Sequence, residues 1–166
     1  MNTVNGLLIL GAGQFGLMVK EIAESMRCFD KIDFLDDRSP LAVGKLGDAV
    51  SFAGEYSCAV VAIGNPDVRL ALLEHLAAQF ALPVIASPAA FVSPSARLSP
   101  GVIVEPMAVV QANSSVALGA IIGSGAVVRH NAEVGEVCQI DCNAVVMSGS
   151  AVSPKTKVQA CTVYRG

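Results

Sequence analysis

Proton transfer near neutral pH needs a group that gains and loses a proton there, and imidazole is the side chain whose ordinary pKa permits it. The chain has two, His75 and His130. His75 falls within a predicted helix and reads as structural or solvated. His130 stands in Arg129-His130-Asn131-Ala132-Glu133, where a neutral imidazole can take a proton from an attacking amine or hydroxyl. Asn131 and Glu133 are its polar neighbours. Neither is an unambiguous orienting carboxylate, although Glu133 has the right chemistry. A second constellation lies near the start of the chain. Leu7-Leu8-Ile9-Leu10 reads as a buried strand, runs into Gly11-Ala12-Gly13-Gln14-Phe15-Gly16, and is followed by helical character from Leu17 to Met26. Glycines so spaced allow a tight turn, close backbone approach to a phosphate and tight helix packing, while the helix start offers unpaired N–H groups to an anion. Further on, Asp36 ends the strand Ile32-Asp33-Phe34-Leu35 and stands beside Asp37. At that distance beyond Gly16 a carboxylate can accept hydrogen bonds from ribose hydroxyls. A glycine turn kept only for packing is the plainer alternative.

The elements around the glycine loop are short. A third strand, Ala59 to Ile63, ends at Gly64-Asn65-Pro66-Asp67. Asn65 suits a helix N-cap, Pro66 the first helical position and Asp67 the positive end of the dipole, which predicts a helix to about Phe80. Roughly 85 residues make a small Rossmann-like unit, too short for the two halves that hold a dinucleotide. A mononucleotide or a nucleotide-sugar fits better.

His130 belongs to a different pattern. From Ser87 to Tyr164 the chain divides into 13 hexads, 12 of which end in Val, Leu or Ile, as at Val110, Ile122, Val128 and Val146. Two places before each of these sits a small residue, among them Ala108, Ala126, Cys138 and Ala144. A six-residue period marks a parallel β-helix, in which each hexad is a short strand and a turn and three hexads close one coil. The small and the aliphatic residues point inward and the residue between them outward. Positions three hexads apart then stack, and the outward ones sort into three faces. Phe91, Val109, Val127, Val145 and Val163 form an entirely apolar one; Arg97, Ser115, Glu133 and Ala151 form the next; Ile103, Ile121, Gln139 and Lys157 form the third. A stack of apolar side chains like the first needs a cover, either a sister subunit in a closed ring or the chain's own front domain. His130, just after Val128 and Arg129, falls at the corner between the apolar and polar faces, with Ala112 and Ser148 stacked one coil away.

Composition narrows the classes. A formal charge of -3, 5% aromatic residues and no basic run argue against nucleic acid. No stretch of about 18 uninterrupted apolar residues predicts a membrane span, and Met1 to Asn5 lacks a basic signal-peptide start. The five cysteines form no C-x-x-C pair with a partnering cluster, which predicts reduced thiols in a cytoplasmic protein. A zinc site of three histidines cannot be built around His130, so no metal is expected. The expected domains are 1–86, Rossmann-like, and 87–166, a β-helix of about four coils.

Gly11 to Gly16, Phe34-Leu35-Asp36-Asp37, Ala62-Ile63-Gly64-Asn65, Ser93-Pro94-Ser95-Ala96 and Gly125 to Gly135 together resemble the sugar O- and N-acetyltransferases of the sialic acid O-acetyltransferase type, including bacterial enzymes that acetylate UDP-linked 4-amino sugars. The resemblance implies an α/β Rossmann-like nucleotide-sugar domain followed by a left-handed parallel β-helix of hexapeptide repeats, wound against the usual right-handed crossover. It implies acetyl-CoA as co-substrate, a cytoplasmic homotrimer meeting at the Phe91 to Val163 face, and a role in surface polysaccharide or glycan biosynthesis. It makes His130 the catalytic base, with Asn131 and Glu133 beside it. Gly11, Gly13, Gln14, Phe15, Gly16, Asp36, Asp37 and Asn65 fall at the nucleotide-sugar, and Gln139, Ser148 and Gly149 at the donor.

The chain departs from the family where Asn131 replaces an acidic residue, Gly123 an Asn, and Gln139 and Phe15 a His each. The family's prism also continues one to two coils further and helps form the pantetheine cleft, so the chain looks short at its C-terminus. A catalytically degenerate relative, acting as a nucleotide-sugar-binding or structural protein, is the alternative.

Overall fold

The computed structural model describes residues 5–166. Residues 1–4, which carry most of the stretch inspected for a signal sequence, lie outside the described residues. The chain divides into two compact units, residues 1–83 and 84–166.

The first unit is built on β1 (Gly6–Leu10), which is buried along its whole length. Leu and Ile without alternation suit a strand covered on both faces. A parallel sheet forms around it with β2 (Lys31–Leu35), β3 (Ala42–Gly44) and β4 (Cys58–Val61), in the order β3-β2-β1-β4. Between β1 and β2 runs α1 (Gln14–Met26), which buries Gly16, Val19, Ile22 and Ala23 at helical spacing. It ends at Arg27 in the left-handed conformation, φ 53. A 3₁₀ segment, Leu46–Phe52, precedes β4, and α2 (Pro66–Leu76) follows it. The helix stops short of the expected Phe80 because the chain there must return to the sheet. Ala81 donates to the carbonyl of Ser57 and accepts from Ala59, both at 3.0 Å, and Phe80 is buried. The strand order reverses between β1 and β4, so the loops after these two strands flank a topological switch point.

In the second unit every expected hexad ends in a short strand, from Phe91–Val92 to Val163–Tyr164. The stack begins slightly earlier, with Ile85–Ala86 paired to Ile103–Val104. Strands three hexads apart pair in parallel, as those of Val109, Val127 and Val145 do, and three sheets result. The ladder is regular: Val109 N–H donates to Ala126 at 2.8 Å and Val127 N–H to Ala144 at 2.9 Å. Inside, Val104, Ala108, Val110, Ile122, Ala126, Val128, Ala144 and Val146 are fully buried. Each inward aliphatic side chain contributes roughly 1.5–3 kcal/mol on leaving water. Cys138 fills the small column, and its Sγ donates to the Ser153 carbonyl at 3.0 Å. The corners have their own repeat, since certain turn positions take positive φ in coil after coil. One column is Asn113, Asn131 and Gly149, another Met107, Gly125, Asn143 and Cys161. Asn and Gly bear that conformation at least cost.

Of the three outward faces, the apolar one keeps Phe91 at 58% and Val163 at 49% exposure, with Val109, Val127 and Val145 half-buried, whereas Ile103 and Ile121 on the third are buried.

Candidate functional site

His130 is held at its corner by both backbone and side chain. Its N–H donates to Gln111 Oε1 at 3.1 Å, while the N–H of Asn131 donates to the carbonyl of Ala112 at 3.1 Å. The ring then meets Ser148, one coil above, with Oγ 3.0 Å from Nε2. On its other side Asn131 Nδ2 lies 3.3 Å from Nδ1. Which ring nitrogen carries the proton turns on which end of the Asn131 amide faces Nδ1, since the Ser148 hydroxyl can donate or accept. An amide nitrogen facing Nδ1 leaves the proton on Nε2, and an amide oxygen there, after a half-turn of the Asn131 side chain, leaves it on Nδ1 and opens Nε2 as a base. The imidazole is exposed, so it remains open to a substrate.

The other residues expected near it are placed differently. Glu133 lies on the next strand, Glu133–Val134, exposed, and among the described residues no hydrogen bond joins it to His130. It lines a shallow recess of about 340 Å³ with Ser115, Gly135, Ala151 and Ser153. Gln139 is outward on the third face, in register with Ile121 and Lys157, and does not meet His130 within this chain. Ser148 and Gly149 do come to the histidine's corner, and their N–H groups make no hydrogen bond among the described residues. Gly123 has a packing reason to be glycine, for a Cβ there would lie 2.9 Å from both Cys142 N and Ile140 O. Gln111 was not singled out from the sequence. Its signal was a spacing of one coil plus one place, which Glu105 repeats when its Oε2 accepts from Ser124 N–H at 2.9 Å.

At the switch point of the first unit, the glycine loop is shaped by the carboxylate expected to read a ribose. Gly11 has φ 106 and donates to the carbonyl of Leu35 at 2.8 Å. Asp36 Oδ2 accepts from Ala12 N–H, and Oδ1 from Arg38 and Ser39 N–H, each at 2.9 Å. The Ala12 N–H above all, then that of Arg38, holds the carboxyl below its ordinary pKa, against the opposing effect of burial. Three of the roughly four lone-pair directions of a carboxylate are thereby engaged, leaving about one for a ligand. Asp37 Oδ1 accepts from Leu46 N–H at 3.1 Å, and Asn65 Oδ1 caps α2 by accepting from Asp67 and Val68 N–H at 3.0 and 3.1 Å.

What remains open in that loop is backbone. Gly13, the N-cap of α1, carries no side-chain cap and has no atom within 4 Å of where a Cβ would stand. Gln14 is exposed and Phe15 half-buried. Gly16 is required by packing, because a Cβ there would collide with the carbonyl oxygen of Gly11. On the β4 side, the buried Arg69 donates through Nη1 to the carbonyls of Ile63 and Gly64 at 2.6 and 3.0 Å, bracing the loop that carries Asn65. Nothing in the residue pattern marked Arg69, since a helical Arg reads as solvated until its burial is known.

Among the described residues no helix is long and apolar enough to cross a membrane, and no group of three His, Cys, Asp or Glu side chains comes together.

Against known proteins, residues 6–76 match the model of the PglD N-terminal domain. The acetyltransferase domain of PglB from Neisseria gonorrhoeae FA1090, solved in complex with acetyl coenzyme A, is 30% identical. The match covers 96% of this chain and 92% of that one, with a TM-score of 0.76. A mutant of perosamine N-acetyltransferase from Caulobacter crescentus, in complex with CoA and GDP-perosamine, is 25% identical, covering 96% of this chain and 88% of that one with a TM-score of 0.79. WeeI from Acinetobacter baumannii AYE shares the fold alone, at 15% identity, 95% and 87% coverage and a TM-score of 0.56. Curated proteins provide no match.

Proposed function

The chain belongs to the sugar N-acetyltransferases that join a PglD-type N-terminal domain to a left-handed parallel β-helix, and on that premise we propose that it transfers the acetyl group of acetyl-CoA to an amino group of a nucleotide-linked sugar. The observation that carries this reading is the corner of His130, where an exposed imidazole is fixed by Gln111, Asn131 and Ser148 in a chain similar along nearly its whole length to an acetyltransferase domain.

His130 takes the proton that the acceptor nitrogen loses as it bonds to the thioester carbonyl carbon. The carbonyl oxygen then carries negative charge, and the N–H groups of Ser148 and Gly149, unbonded among the described residues, are donors at the same corner to receive it. Collapse breaks the C–S bond, and the proton held on the imidazole neutralises the departing thiolate. Gln139 and Gly149 complete the donor side in this reading, and Glu133 borders the recess on the adjoining polar face.

The nucleotide-sugar sits at the switch point of the first unit. The N–H groups at Gly13, Gln14 and Phe15, which begin α1 and so lack partners within the helix, meet its phosphates, supported by the positive end of α1. Gly11 and Gly16 shape that loop, Asp36 clasps it through Ala12 N–H, Asp37 beside it holds Leu46 N–H, and Asn65 borders it from the β4 side. Asp36 is chiefly a clasp, with about one lone-pair direction left for a ribose hydroxyl.

The same reading extends to a homotrimer. The stacked Phe91, Val109, Val127, Val145 and Val163 form an apolar face, exposed at its two ends and half-buried between them, of the kind that marks an interface, and three copies closing on it would set each His130 beside a seam. The protein then works in the cytoplasm, where acetyl-CoA and nucleotide-sugars are available, and serves glycan assembly.

Calorimetric titration of acetyl-CoA and of a UDP- or GDP-linked 4-amino sugar, followed by a transfer assay with native protein and His130→Ala, tests the function. Binding of both ligands and transfer only by the native protein is expected. Transfer that survives His130→Ala, or no acetyl-CoA binding at all, overturns it. Light scattering that finds a monomer removes the trimer.

A further inference from the structure

Ser148, His130 and Asn131 stand in contact order: Oγ is 3.0 Å from Nε2, and the Asn131 amide is 3.3 Å from Nδ1. The pairing of Val127 with Val145 and Val128 with Val146 sets this juxtaposition, because it brings the turns that follow into the same register. The backbone differs between the two coils. At the lower turn the N–H groups of His130 and Asn131 are taken by Gln111 Oε1 and the Ala112 carbonyl. At the upper turn those of Ser148 and Gly149 have no acceptor among the described residues. Gly149, at φ 73, has no atom within 4 Å of a would-be Cβ, so the chain is uncrowded at the residue that follows the serine. A hydroxyl on an imidazole, an amide on the imidazole's other nitrogen and two free N–H donors beside the hydroxyl are the parts from which an acyl-accepting serine is made.

We propose that Ser148 is itself an acyl acceptor, giving the chain a second activity as a hydrolase of small acetate esters and thioesters through a Ser148 ester. The inference rests on the reading of His130 as a base and not on the identity of the donor or of the sugar. Once a half-turn of the Asn131 side chain exchanges Nδ2 for Oδ1 as the partner of Nδ1–H, Nε2 takes the proton of Ser148 Oγ as that oxygen bonds to the acyl carbon. The ester C–O or thioester C–S bond breaks, its electron pair leaves with the alcohol or thiol, and the imidazolium returns the proton to it. Water then clears the ester. Nε2 takes one of its protons, the hydroxide oxygen bonds to the acyl carbon, and Oγ departs and recovers the proton, leaving acetate and free Ser148. In both stages the oxyanion falls to the N–H groups of Ser148 and Gly149.

The full-length chain is mixed with p-nitrophenyl acetate, which needs no CoA site. Release of p-nitrophenolate is followed, and acid-quenched protein is digested for peptide mass spectrometry. One acetyl group on Ser148 is expected, with release at least tenfold slower in Ser148→Ala and in His130→Ala. Ser148→Cys, which preserves a nucleophile and close to the same volume, should trap a longer-lived thioester. Circular dichroism verifies that each variant is folded. An unacetylated Ser148 in the native protein, release from Ser148→Ala equal to native, or a folded Ser148→Cys that carries no acetyl group each overturns the proposal. Acetyl transfer from acetyl-CoA to the amino sugar is assayed separately. Failure there sinks the sugar reading and leaves this one standing, while an unmodified Ser148 in a protein that acetylates the sugar sinks this one alone.

Discussion

His130 owes its place to a ladder of backbone hydrogen bonds that repeats with every coil, whereas the glycine loop of the first unit owes its shape to individual side chains. In residues 84–166 the register of Val127 on Val145 determines which residues share a corner, and side chains only trim the result. In the first unit Asp36, Asp37 and Asn65 between them accept six backbone N–H groups, and each holds a different piece of loop. A repeat distributes its restraint, so one lost side chain moves little. A loop held by single carboxylates and amides concentrates it, and the same groups that could touch a ligand are the ones the fold depends on.

The sharpest way to divide chemistry from scaffold is His130→Ala. It should lower the transfer rate by about 10²–10⁴-fold while thermal unfolding stays close to native, because the side chain is exposed and the ladder does not use it. A melt shifted as strongly as the rate would show that the corner is held by the ring after all.

The prism itself is broken from inside. Ile122→Ala removes a fully buried side chain and should cost about 2–5 kcal/mol in denaturant unfolding, with the first unit's nucleotide-sugar affinity unchanged.

In the first unit Asp36→Ala should cost about 1–3 kcal/mol by leaving the N–H groups of Ala12, Arg38 and Ser39 without their charged acceptor, and should weaken nucleotide-sugar binding in calorimetry. Its acid dependence follows from the sign of its pKa displacement. Because the folded carboxyl titrates below its ordinary value, its contribution is complete above about pH 5 and is lost as pH falls toward the lower folded value. Native protein should therefore lose more stability than Asp36→Asn between about pH 5 and about pH 3. Equal slopes would remove Asp36 as the clasp.

The smallest effect belongs to Asn65→Ala, about 1 kcal/mol for a lost N-cap, measurable as a shift in the chemical denaturation midpoint.

Composition and pattern alone were enough for the larger architecture. The hexad ending at Val128 predicted an inward valine and a corner just beyond it, because a parallel ladder with a fixed period leaves a side chain one place to go. Gly16 and Asn65 were also readable, one from the motif's packing demand and the other from Asn-Pro at a helix start. What Asp36 does was not readable. A carboxylate at the end of the strand after a glycine loop has the same signature whether it faces a ribose or its own backbone, and only the folded path of residues 36–39 brings Arg38 and Ser39 N–H to Oδ1. Arg69 escaped for a related reason, since a helical Arg carries no sequence signal for burial at 1% exposure, while Gln111 was marked only by a spacing of one coil plus one place that becomes meaningful once the coils are stacked.

By itself, then, the amino-acid order determined the period, the inward columns and the corner at which the imidazole stands, since these follow from local propensity and a repeated register. Only the tertiary structure decided that Ser148 Oγ and not Glu133 meets the ring, and that the acids of the first unit clasp their own loop. Those outcomes depend on side-chain directions and on which backbone N–H groups are left unpaired, and a one-dimensional spacing does not contain them.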